Sequence, residues 1–126
     1  MMKPERASEV ARLIAAEIQK MRVPITSERG AHDGIESGLI SAGFSVNREV
    51  RLCARDRVDL MAGSVAVEVK VKSRQNRREV LKQLERYAEH DEVEAIVLAS
   101  AAPWPGSISE LNGKPLVVAS LTRGWL

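Results

Sequence analysis

Asp59, Glu68 and Lys70 stand in the run from Arg57 to Lys72, and together their side chains would do metal-assisted chemistry on a phosphate. Two carboxylates a few ångströms apart repel unless a cation sits between them. Hard oxygen ligands with room for water suit Mg²⁺ or Mn²⁺. A lysine beside them can orient an attacking water or stabilise charge developing on phosphorus-bound oxygen.

Convergence of the three depends on the strands that carry them. From Val65 to Lys72 apolar and other residues alternate, so Val65, Val67, Val69 and Val71 share one face while Ala66, Glu68, Lys70 and Lys72 share the other. Upstream, Val58 and Leu60 alternate with Arg57, Asp59 and Met61. A two-residue loop of Ala62-Gly63 puts Asp59 diagonal to Glu68, and a loop of Gly63-Ser64 puts it directly opposite. Either register predicts Asp59, Glu68 and Lys70 on one face, with Val58 and Leu60 buried beside Val65 and Val67. A one-residue slip would expose both apolar side chains.

The rest of the chain predicts the supporting elements. Pro4 to about Met21 reads as a helix with Ala7, Val10, Ile14, Ile18 and Met21 at helical spacing, either capping the sheet or forming half of a dimer contact. A second helix begins at Ser27 as N-cap and runs through Ala31, Ile35 and Leu39 towards Gly43, weakened by Gly30, Gly34 and Gly38. Phe44 to Leu52 reads as a strand with Val46, Val50 and Leu52 on one side and Asn47, Glu49 and Arg51 on the other, turning at Ala54-Arg55-Asp56. Asn76 to His90 is helical, with Val80, Leu81, Leu84 and Ala88 as its buried stripe and Gln83 and Tyr87 on the margin. Glu94 to Ser100 is a buried strand, 102 to 115 a loop or a short helix near Ser107 to Leu111, and Leu116 to Leu121 a last strand. Trp104 and Trp125 are available for packing or for a dimer surface.

Val58-Asp59 followed by Glu68-Val69-Lys70 resembles the bipartite signature of the PD-(D/E)XK nuclease superfamily, with Val58 where the name-giving proline would stand. Gln83-Leu84-Glu85-Arg86-Tyr87 is similar to the Gln-x-x-x-Tyr motif of its RecB-like branch. The resemblance covers roughly Ser27 to Leu121. It implies a restriction-endonuclease-like αβββαβ core, an α/β fold with a central mixed sheet flanked by helices, to which the N-terminal helix is extra. It also implies metal ligation by Asp59, Glu68 and the Val69 carbonyl, and support from Gln83, Tyr87 and an acidic residue of the first core helix. For that last role Glu28 is preferred to Glu36, being nearer the apolar stripe; His32 is left out of the site.

Charge and composition bound the function. The chain has 126 residues, 44% of them hydrophobic and 29% charged, with net charge +2, which describes one domain; within it the resemblance makes residues 1–24 a helical extension and 27–121 the core. The basic run Lys70, Lys72, Arg74, Arg77, Arg78, Lys82 and Arg86 faces only Glu79 and Glu85, as expected where a phosphate backbone approaches. Lys72, Arg74, Arg77 and Arg78 are the expected DNA contacts, whereas Lys82 and Arg86 could pair with Glu85 and Glu89. Aromatic residues make up 3%, too few for stacking platforms that bind single strands. One cysteine, Cys53, excludes an internal disulfide and any cysteine-only zinc or iron–sulfur site. No apolar run approaches a membrane span, and the N-terminus is charged and amphipathic, so a cytoplasmic location is expected. The expected function is a Mg²⁺- or Mn²⁺-dependent deoxyribonuclease serving DNA repair, recombination or phage DNA processing. The alternative is an inactive module of the same fold that binds DNA or protein. A homodimer would help a small domain hold a duplex.

Overall fold

The computed structural model describes residues 2–72 and 74–121; Trp125 lies outside them. Helix α1 (Pro4–Lys20) starts with its proline in the first turn, where the missing N–H leaves no bond unmade. Its stripe of Ala7, Ala11, Ile14, Ala15 and Ile18 is buried against the sheet, so α1 caps the sheet. Burying Ile14 and Ile18 alone contributes roughly 1.5–3 kcal/mol each.

Helix α2 (Glu28–Ser41) is capped by the Ser27 hydroxyl, which accepts the Gly30 N–H at 3.0 Å, and it ends before Gly43 at φ 98°. Its glycines have a packing reason. Gly30, Gly34 and Gly38 recur one turn apart, and the linker from Met21 to Pro24 lies along them. A Cβ at Gly38 would meet the Met21 side chain, one at Gly34 the side chains of Val23 and Pro24, and one at Gly30 Ser27 and Pro24.

Strands β1 (Val46–Arg51), β2 (Arg57–Ala62) and β3 (Val65–Lys70) form an antiparallel meander, and helix α3 (Arg77–Ala88) carries the chain over to β4 (Ala95–Ser100), parallel to β3. Strand β6 (Lys114–Ser120) lies parallel to β4, with β5 (Glu110–Leu111) antiparallel at its edge. Among the described residues this makes three helices and one mixed six-stranded sheet of order β1-β2-β3-β4-β6-β5. Helices α1 and α2 pack on one face and α3 on the other. Accordingly every residue of β4 is buried, as expected of a parallel strand covered on both sides.

Two turns set the register. Gly63 at φ 61° and Ser64 close the β2–β3 hairpin, the second of the two registers open in the sequence. Asn112 and Gly113, at φ 49° and 78°, close β5–β6 as a tight hairpin. The expected loop or short helix near 107–111 is thus partly a strand, and Asn-Gly was the signal for it.

The faces of β1 and β2 depart from simple alternation. Leu60 and Ala62 pack under α1 and α2 with Val65 and Val67, as expected, but Val58 belongs to the opposite core under α3. In β1, Val46 packs on the first side and Val50 on the second, where Leu52, just past the end of the strand, joins it. Both strands change face at one level, where Glu49 adopts φ 51° between the pairs Arg48↔Leu60 and Val50↔Val58. The residue opposite Glu49 in that register is Asp59. Strict two-residue alternation could not foresee this, because a left-handed residue reverses the parity beyond it.

Candidate active site

The β2–β3 ladder stops at Leu60↔Val67, and the same register carried one step further sets Asp59 opposite Glu68. Here the strands part and a cleft of about 460 Å³ opens. Glu28, Asp59, Glu68, Val69, Lys70, Gln83 and Tyr87 all line it, together with Asp56 and the basic side chains Arg51, Arg55, Arg57 and Arg86. Every metal, catalytic and supporting residue expected from the sequence therefore borders one cavity.

Glu68 is 2% exposed at the floor of the cleft. Its Oε2 lies 3.1 Å from the Lys70 ammonium, while Oε1 is buried with no hydrogen-bond partner among the described residues. Burial, and after it the charge of Asp59, pushes the Glu68 carboxyl up to about 7 against the opposing pull of Lys70. Asp59 Oδ2 accepts the Val69 N–H at 2.9 Å and lies 3.4 Å from His32 Nε2. His32, set aside in the sequence, thus stands beside a site carboxylate; its helical position alone gave no reason to choose it.

Helix α3 supplies the roof. Gln83 Nε2 donates to the Tyr87 hydroxyl at 2.9 Å, and that hydroxyl donates to the Arg57 carbonyl at 2.9 Å. Tyr87 is buried rather than marginal, and Leu81 only partly buried, so the stripe is rotated towards the tyrosine. Burial, then the nearby charges of Glu68 and Asp59, holds the Tyr87 hydroxyl well above its ordinary pKa, and it serves as a neutral donor.

The two acidic candidates on α2 separate. Glu36 is engaged with Arg48 at 3.3 Å, whose guanidinium also bonds Asp33 at 2.7 Å. Glu28 lines the cleft, but as an exposed residue at its rim rather than one facing the core. Arg86 pairs with Asp56 at 3.0 Å and not with the helix glutamates.

Lys72, Arg74, Arg77 and Arg78 are exposed and do not line the cleft; Arg77 donates to the Pro103 carbonyl at 3.0 Å. The cations at the carboxylates are instead Lys70 and the arginines of the β1–β2 turn and α3. No local spacing links Asp56 to Arg86 and His90, which it meets 30 and 34 residues away. Burial acts to raise the Asp56 carboxyl, but hydrogen bonds from His90, Arg86 and Cys53, with the Arg55 charge, hold it below its usual range.

No described helix is long and apolar enough to cross a membrane. Family models, curated proteins and solved structures were compared with the chain, and none matches it.

Proposed function

We propose that the chain is a metal-dependent deoxyribonuclease with a restriction-endonuclease-like core, acting in the cytoplasm on DNA of repair, recombination or phage processing. The observation that carries this reading is the buried, partnerless Oε1 of Glu68 facing a second carboxylate in a cleft walled by cations. A buried carboxylate oxygen without a donor, next to a like charge, is costly unless a cation joins them. Asp59 and Glu68 fit a hard divalent ion completed by water and, by the resemblance, by the Val69 carbonyl. When bound, Mg²⁺ or Mn²⁺ supplies charge stabilisation and a more acidic water.

The chain's own residues do the rest. Lys70, fixed on Glu68, orients water for in-line attack on phosphorus and offsets charge on the non-bridging oxygens. Water oxygen forms the new P–O bond as its proton passes to solvent, the ester P–O bond breaks, and the departing sugar oxygen takes a proton from solvent. Arg51, Arg55 and Arg57 hold neighbouring phosphates against the same cleft. Gln83 and Tyr87 hold the strand at Arg57, and with it Asp59, at a fixed distance from Glu68.

The test is incubation of labelled linear, single-stranded and branched DNA with Mn²⁺, beside Glu68→Ala, Lys70→Ala and a chelator control. Cleavage by the native chain, lost in all three controls, supports the reading. DNA binding without cleavage in any metal would favour the inactive DNA-binding module, and neither binding nor cleavage would reject every reading in which the chain acts on DNA.

A further inference from the structure

We propose that Cys53, Asp56 and His90 form a zinc site that ties the β1–β2 turn to the C-terminal end of α3. Their ligand atoms, one sulfur, one oxygen and one nitrogen, all lie within 4.8 Å of one another. Cys53 Sγ is 3.6 Å and His90 Nε2 3.0 Å from the same oxygen, Asp56 Oδ2. Zinc bond lengths in a tetrahedron require edges of roughly 3.5 Å for S···O and roughly 3.3 Å for N···O. Two edges of the triangle therefore already lie within a few tenths of an ångström of that polyhedron, and the third, sulfur to nitrogen, is under 4.8 Å.

The surroundings hold them so. Asp56 is 1% exposed, and its other oxygen takes Arg86 Nε at 3.0 Å with Arg55 Nε at 3.6 Å, outer partners that fix a ligating carboxylate. The turn is closed by the N–H groups of Leu52 and Cys53, which donate to the Asp56 carbonyl at 2.8 and 3.4 Å. His90 is anchored through its own backbone: its N–H donates to the Tyr87 carbonyl at 3.2 Å, and its carbonyl accepts Lys114 Nζ at 2.7 Å.

The donor set selects the ion. A thiolate with an imidazole and one carboxylate suits borderline-soft Zn²⁺, whereas the all-oxygen pair Asp59 and Glu68 suits Mg²⁺ or Mn²⁺. On binding, the Cys53 thiol proton leaves to solvent and His90 coordinates through Nε2, keeping a proton on Nδ1. Three protein ligands beside an exposed cysteine leave a fourth position for water. A single cysteine excludes only sites made of cysteine alone.

The site does not depend on nuclease activity, and its test does not measure cleavage. The metal-free chain, kept reduced, is titrated with Co²⁺ and then Zn²⁺. The expected result is one thiolate-bound ion per chain, read from a thiolate-to-cobalt charge-transfer absorption that saturates at one equivalent and that Zn²⁺ removes, and a higher melting temperature with Zn²⁺. Cys53→Ser should abolish the absorption, and His90→Ala should weaken binding at least tenfold. Glu68→Ala should leave both unchanged. Circular dichroism of the metal-free variants checks that each remains folded. A titration without the charge-transfer band overturns the proposal, as does a band that His90→Ala leaves at undiminished affinity.

Discussion

The Asp59 carboxylate accepts the Val69 N–H at 2.9 Å, just beyond the point where the β2–β3 ladder has ended. One side chain thereby closes the parted strands and presents a negative charge to the cleft. Its contact with Val69 and its approach to His32 both use Oδ2, so among the described residues Oδ1 is left to the cavity.

Asp59→Ala and Asp59→Asn should therefore separate structure from chemistry. Alanine strands the N–H of Val69, itself 1% exposed, and should cost about 1–3 kcal/mol in urea unfolding. Asparagine keeps an acceptor oxygen and should cost less than about 1 kcal/mol. Neither variant should cut DNA. Equal stability of the two would refute a structural role for this hydrogen bond.

Glu68 makes stability depend on pH in an unusual direction. Its carboxyl ionises at about 7 in the folded chain against an ordinary 4.5, so between those values the folded state binds more protons and stability falls as pH rises. Full ionisation should cost on the order of 3 kcal/mol. Urea midpoints measured with chelator should decline from pH 5 to pH 8, and Glu68→Gln should flatten that decline. Saturating Mn²⁺ should restore the midpoint at pH 8. A Gln variant with the native slope would contradict this assignment.

Tyr87→Phe removes the donor to the Arg57 carbonyl and the acceptor for Gln83. The expected loss is about 1–2 kcal/mol, since two polar partners lose their mate. Cleavage should fall more than DNA binding, because Arg57 shares a strand with Asp59. Unchanged cleavage would show that the hydroxyl does not position the site.

The glycines of α2 should not behave alike. At Gly34 an added Cβ meets its nearest neighbours at 3.6 Å, so Gly34→Ala should stabilise by about 0.5–1 kcal/mol through helix propensity. At Gly38 the end of the Met21 side chain occupies the place of the added atom and would have to move. Thermal melts should rank Gly34→Ala above Gly38→Ala, and the reverse order would show that the linker does not pack along this groove.

Much of this arrangement was legible in the residues themselves. Alternation over Val65–Lys70 located β3, helical spacing located α1 and α3, and the order of elements followed. What escaped was whatever distant segments decide together. Asp56, His90 and Arg86 converge only after α3 has crossed the sheet, and the change of face at Asp59 needs the left-handed backbone of Glu49 in the neighbouring strand. Tyr87 read as a marginal aromatic because the carbonyl it would bond, that of Arg57, lies 30 residues away. Asn112-Gly113, by contrast, was a local signal, hidden by reading the surrounding prolines and glycines as loop.

The reversal at Glu49 also shapes the free edge of the sheet. Strand β1 is an outer strand of the sheet, and such a strand offers unpaired amide and carbonyl groups to any extended chain that can lie straight against it. With the backbone turned at Glu49, the free edge is broken into short halves that face differently, while the opposite edge is the two-residue strand β5. The bend that sets Asp59 at the mouth of the cleft thus also guards against edge-to-edge aggregation.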